Sequence, residues 1–256
     1  MSTFSLTHAL LICDDSGYQK ATQSEFLRLA ANGKTSKEVL GEWLANDRLY
    51  IHSYVRGIGR LIGFLQFPDT APAPDQNPDA PTRLLDWFVS ALLNIRREEK
   101  FFVKTAAQYG IQINLETQDG RVPRDAKLEG LRRWEALFEG VSPGVGDKLP
   151  WLEAAIVYWG TEKCYLDAWS WAKSQLTADQ DASQDADGGA LRNEFIDNWT
   201  SREFAEFVSE LGHIIDDAVR EEIDKGGENT GKQFLARGRA KWTDILSAEE
   251  MFWPKT

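Results

Sequence analysis

Apolar residues recur every three or four positions along nearly the whole chain, and this spacing restricts the fold more than any other feature. Strand-like alternation is almost absent, so helices must bury their stripes against other helices. The pattern predicts helices over about Tyr18–Ala31, stopped by Asn32-Gly33, and from Ser36, as N-cap, to about Phe67. Others follow over Thr82–Tyr109, stopped by Gly110, and over Asp125–Glu139, Pro150–Thr177, Ala190–Asn198 and Ser201–Lys225. The last runs from Glu228 or Thr230 to Ser247 or beyond. The expected architecture is an all-α bundle of about seven or eight helices in a single domain over residues 1–256. Two segments read as loop insertions. Residues 68–81 hold five prolines in fourteen positions, and residues 178–189 are rich in Asp, Ala, Gln and Gly and expected to be polar, mobile and solvated.

Charge and composition narrow the partners. With 29 Lys+Arg against 40 Asp+Glu the net charge is −11, which disfavours nucleic acid and anionic membranes. Apolar runs fall far short of the ~20 residues of a membrane span. The segment His8–Cys13 is too short, and lacks the basic flank, for a signal peptide. Two cysteines cannot build a disulfide framework, which fits a reducing compartment and a cytoplasmic location.

Stepping the helices at about 100° per residue exposes an anomaly. Asp47 lies inside the arc of Leu40, Trp43, Tyr50, Tyr54, Ile58 and Leu61. Glu99 lies within Leu85, Phe88, Leu92, Ile95, Phe102 and Ala106. Glu162 is centred among Trp151, Ala155, Tyr158, Trp159, Tyr165 and Trp169, and Glu249 among Leu235, Trp242, Ile245, Leu246 and Trp253. An interior carboxylate must be protonated, paired or hydrogen-bonded. Four separate structural pairs, for example with Arg28, Arg56 or a tyrosine, would satisfy that demand. A shared polar pocket walled by Trp and Tyr would satisfy it as well, and would supply groups suited to acid–base chemistry.

Other chemistries find less support. A di-metal bundle site needs Glu-x-x-His on two helices. The one match, Glu210-Leu211-Gly212-His213, turns His213 about 180° from Phe204 and the apolar face. No histidine lies on an acidic stripe, so no metal ligand is assigned and no cofactor is implied. Cys164 is about 200° around the helix from Glu162 and reads as a packing residue.

Four stretches, in order, then resemble the TenA family of thiamin-pyrimidine salvage proteins, whose fold is the all-α haem oxygenase-like bundle. Asp47-Arg48-Leu49-Tyr50 resembles the family's Asp-x-x-Tyr. Glu162-Lys163-Cys164-Tyr165 with Ala168-Trp169 is similar to the branch in which glutamate replaces the catalytic cysteine. Phe195-Ile196-Asp197-Asn198-Trp199 with Ser201-Arg202-Glu203-Phe204 resembles a Trp-x-x-x-Tyr-x-x-x-x-Phe stretch. Glu249-Glu250-Met251-Phe252-Trp253 resembles the terminal Glu-x-x-Phe-Trp.

The resemblance implies a metal-free hydrolase that releases a group from the exocyclic methylene of an aminopyrimidine, either an aminomethyl- or a formylaminomethyl-pyrimidine. Carried over by position, Glu249 would protonate the leaving amine. Glu162 would take the place of the thiol, activating water or holding the ring. Asp47 would bind the pyrimidine nitrogens beside Tyr50, and Tyr165 would present a hydroxyl. Trp199 stands where the family has a pocket tyrosine, and no tyrosine occurs in Asp125–Glu139, where Trp134 and Phe138 are the aromatics. Glu99 completes the expected site from its stripe. Family members often form oligomers. The alternatives are a ligand-binding or scaffold protein without turnover and a di-metal oxidase.

Overall fold

Ser and Asp side chains set most of the helix starts, because each accepts a hydrogen bond from a backbone N–H that the first turn leaves unpaired. The computed structural model describes residues 3–71, 73, 77–144, 148–176 and 181–255. Ten α-helices lie among them: α1 (Leu6–Leu11), α2 (Asp15–Thr22), α3 (Glu25–Ala31), α4 (Lys37–Ile62), α5 (Ala80–Tyr109), α6 (Glu129–Glu139), α7 (Leu152–Ser174), α8 (Ile196–Trp199), α9 (Arg202–Gly226) and α10 (Glu228–Glu250). A π-helical turn, Leu191–Phe195, leads into α8. Ser5, Asp14, Ser24, Ser36, Asp79 and Ser201 cap α1, α2, α3, α4, α5 and α9. Among the described residues there is no strand, only one isolated bridge between Gln118 and Arg121. No described helix is long and apolar enough to cross a membrane.

The departures from expectation are local. The helix expected over Tyr18–Ala31 is two helices, because Ser24 accepts from the Leu27 N–H at 3.3 Å and starts α3 afresh. His8, ahead of the first expected helix, lies in α1, whose six residues are too few for a periodicity to register. The loop at 68–81 ends at Asp79, since a proline in the first helical turn breaks no hydrogen bond. Pro72 and Pro74 lie outside the described residues. So do residues 178–180 of the second loop; of its remainder Asp181, Ser183, Gln184 and Ala186 are exposed as expected, while Asp185 and Asp187 are pinned. Asp187 is 1% exposed and accepts from the Gly189 and Leu191 N–H groups, both at 2.8 Å. Asp185 pairs with Arg192, and the Ala186 N–H donates to Gly33 O at 2.9 Å. These two carboxylates leave water because each meets matched donors.

The buried apolar side chains form one contiguous cluster. α7 is central, packing against α2, α3, α9 and α10, while α4 packs on α5 and α6. The Trp43 ring lies 5.5 Å from Trp169, 5.6 Å from Trp199 and 5.8 Å from Trp253, joining α4, α7, α8 and the segment after α10 through aromatic faces and edges. One glycine fixes how the end of α10 docks. The Gly130 N–H donates to Met251 O at 2.9 Å, and a Cβ there would lie 2.2 Å from Phe252 N.

That approach predicts a local penalty. Gly130→Ala should destabilise by about 1–3 kcal/mol through overpacking against backbone. Gly59→Ala, whose Cβ would meet nothing within 4 Å on an exposed helix face, should leave the melting temperature unchanged or raise it. Equal melting temperatures for the two variants would contradict the docking role.

Candidate functional site

On α4, steps of three and four residues carry Asp47, Tyr50, Ile51 and Tyr54 along the buried face. On α7, Thr161, Glu162 and Tyr165 turn toward them, and α5 contributes Glu98 and Phe102. The α8–α9 corner adds Asn198, Trp199 and Phe204. Together α4, α5, α7 and this corner enclose a cavity of about 400 Å³, within the range of small-molecule sites. Arg97 and Glu203, both largely exposed and paired at 3.1 Å, join α5 to α9 on its rim.

Hydrogen bonding divides the acids by character. Tyr54 donates its hydroxyl to Glu162 Oε1 at 2.6 Å, and Tyr158 separately donates to the Tyr54 backbone carbonyl at 3.0 Å. Tyr50 and Thr161 hydroxyls bond at 2.7 Å. Glu98 accepts from the Trp199 indole N–H and from the Asn198 amide, which lies 3.2 Å from both carboxylate oxygens. Asp47 is 4% exposed and lines the cavity, yet it makes no hydrogen bond or ion pair with any described residue. The Tyr165 hydroxyl, also on the lining, is buried without a partner. A buried donor and a buried carboxylate left unmatched on one cavity are groups a ligand would satisfy.

Burial, with no ammonium or guanidinium on the inner wall, pushes these acids toward the neutral form. Desolvation raises Glu162 to about 7, opposed by the Tyr54 hydrogen bond and reinforced by the charge of Glu98. Desolvation, followed by the charges of Glu98 and Glu162, raises Asp47 well above the usual carboxylate range. Burial also raises Glu98, while Trp199, Asn198 and Arg97 hold it down. Glu249 is pushed up to about 8 by desolvation and by Asp47, against the pull of the Trp134 indole. No hydrogen bond closes between Glu249 and Trp134, and Glu249 Oε1 and Trp134 Nε1 both lack a partner.

Asp47, Tyr50, Glu162, Tyr165 and Trp199 therefore lie on one cavity. Glu249 is 2% exposed and off the lining, coupled through charge to Asp47 and Glu162. Glu99 is placed elsewhere. It pairs with Arg96, with His52 at 3.2 Å and with Arg48 at 3.8 Å, the structural-pair arrangement, because its side chain leaves the stripe on the α4 side. Its neighbour Glu98 takes the cavity position. A stripe started from Leu84, Trp87 and Ala91, instead of Leu85, Phe88 and Leu92, steps by three and four onto Glu98 and Phe102 and would have found it. Cys164 is fully buried and absent from the lining. His213 borders a different cavity, between α1, α7 and α9. Among the described residues no three His, Cys, Asp or Glu side chains are arranged to hold a metal ion.

This architecture is the all-helical, haem oxygenase-like fold of TenA homologues. A TenA homologue from Pyrococcus furiosus superposes with a TM-score of 0.67 at 22% identity, covering 97% of this chain and 98% of that one. A TenA homologue from P. horikoshii OT3 gives 0.63 at 14% identity, over 98% and 99% of the two chains. A TenA family transcription regulator from Silicibacter sp. TM1040 gives 0.63 at 12% identity, over 98% and 97%. No family model matches the chain. In sequence it is 26% identical over 250 residues to a curated Fusarium pseudograminearum (strain CS3096) protein named "Probable transcription factor", covering 87% of this chain. The match spans 47% of that relative, so the chain corresponds to about half its length.

The raised acids carry a pH signature. Glu162 and Glu249 ordinarily titrate near 4.5 and in the fold near 7 and 8. The folded state therefore holds their protons more tightly, and the stability this contributes is full below about pH 4.5 and is lost as pH rises through 7 and 8. Glu249→Gln, which cannot ionise, should escape its share of that loss. Its stability relative to wild type should rise by more than about 1 kcal/mol between pH 5 and 9. Denaturant melts at both pH values measure it, and a pH-independent difference would contradict the assignment.

Proposed function

We propose that the protein is a hydrolase of an aminopyrimidine, releasing the amine carried on the exocyclic methylene of an aminomethyl- or formylaminomethyl-pyrimidine. The observation that carries this reading is Glu162, a carboxyl held near 7 by burial, aimed into an aromatic-walled cavity and gripped by Tyr54. An acid poised near neutrality can take a proton from water and return one to a leaving nitrogen. The unmatched Asp47 suits an amino group and a ring nitrogen, and Tyr50, Tyr165 and Trp199 present faces and edges to a flat heterocycle. Resemblance pointed to Glu249 as the proton donor. The geometry favours Glu162, since Glu249 lies off the lining, and leaves Glu249 as a buried acid whose charge bears on Tyr50 and Tyr165.

A second reading, ligand binding without turnover, draws on the relative twice as long as the matched region and named for transcription. The chain would then sense a small molecule for the rest of such a protein. Its own charge of −11 opposes direct contact with nucleic acid.

Incubation with the two pyrimidines, with product analysis, separates these readings. Turnover is expected, and Glu162→Gln should lower kcat by about 100-fold or more, the scale of a lost acid–base group. Tyr54→Phe should lower it less and move the pH dependence of kcat. Binding of either pyrimidine without any product would favour the sensing reading instead.

A further inference from the structure

Glu98 is the cavity acid that the hydrolase reading leaves without a task. Its surroundings differ from those of Asp47 and Glu162. A tryptophan indole can only donate, so the Glu98 oxygen that receives Trp199 Nε1–H must present a lone pair, and Asn198 Nδ2 covers both oxygens. Two neutral donors fix the carboxyl in place and pull it toward its ionised form against the burial that raises it, without neutralising it. Asp47, unmatched and 4% exposed, lies on the same cavity from a different helix. The one basic residue on the lining, Arg97, is two-thirds exposed at the rim and paired with Glu203. The inner wall therefore offers carboxyl oxygens that have no cation of their own and can ionise against an incoming one, beside aromatic surface, an arrangement that recognises a cation.

We propose that Glu98 is a specificity-determining residue that selects the ammonium form of the substrate's exocyclic arm, with Trp199 and Asn198 as its positioning residues. This inference rests on the hydrolase reading for the identity of the ring. Asp47 takes the ring nitrogens and Glu98 the arm, so the free aminomethyl compound is preferred over its N-formyl derivative, whose amide carries no charge. The reaction that follows is R–CH2–NH3+ plus water giving R–CH2–OH plus NH4+. The C–N bond breaks with its electron pair leaving on nitrogen, a C–O bond forms, and the water proton passes through Glu162 to the departing ammonia. The replacement of a family tyrosine by Trp199 gains a function on this account, since its ring N–H is what orients Glu98.

Calorimetric titration of the intact chain at pH 7.5 tests the assignment, with three probes: the aminomethyl-pyrimidine, its N-formyl derivative and benzylamine. Wild type should bind the aminomethyl compound at least tenfold tighter than the N-formyl one. Glu98→Gln should cut that ratio at least fivefold while leaving N-formyl affinity within twofold. Trp199→Phe, which keeps the ring and deletes the donor, should cut the ratio by a smaller factor. An unchanged ratio in Glu98→Gln, or tighter binding of the N-formyl compound by wild type, would overturn the proposal. If neither pyrimidine binds but benzylamine binds and weakens at least fivefold in Glu98→Gln, cation selection by Glu98 stands and the pyrimidine reading fails. If no probe shows a dependence on Glu98, the selection itself fails.

Discussion

Carboxyl groups held out of water without a cation beside them are the constraint around which this molecule is arranged. Asp47, Glu162 and Glu249 come from three helices, and each is raised by burial before any neighbour acts on it. An apolar core would be expected to reject them. They persist because the aromatic layer about Trp43, Trp169 and Trp199 supplies packing on one side, while the Tyr54 hydroxyl and a cavity supply polarity on the other. Stability and chemistry are thereby opposed: the protons that keep the interior neutral are the protons available for catalysis.

How much of this could be read from the sequence follows from what periodicity can sense. Long amphipathic helices announced themselves, and Ser36, Ser201 and Gly110 marked their ends as the structure has them. Short elements did not, since α1 spans fewer than two turns and the break at Ser24 depends on a single capping hydrogen bond. Interior acids were legible as intrusions in apolar stripes. Which of two adjacent glutamates faces the cavity depended on the register chosen for the stripe, since starting from Leu84 reaches Glu98 and starting from Leu85 reaches Glu99. Only the placement of Arg48 and His52 on α4 shows why Glu99 turns away. The acidic loop around Asp185 and Asp187 misled for a related reason. Its partners are backbone amides and Arg192, brought near by the fold rather than by composition.

The aromatic residues share the task of closing the site. Trp134 occupies the stretch where the resembled family would place a tyrosine, and it packs on Tyr50 and Phe138 beside Glu249 instead of reaching the cavity. Trp199 presents an indole that touches Tyr165, Trp169 and Phe195 while binding Glu98. The fold supplies the frame, and function is argued from these side chains.

Proton release on ligand binding tests the central claim most directly. If the cavity holds buried carboxyls largely neutral until a cation arrives, binding the aminomethyl-pyrimidine near pH 6.5 must expel protons, because the incoming charge lowers their pKa. Calorimetry in two buffers of different ionisation enthalpy counts them. The account predicts release of about one proton per ligand at this pH, diminishing in Glu162→Gln. Binding with no proton exchange, or with uptake, would contradict it.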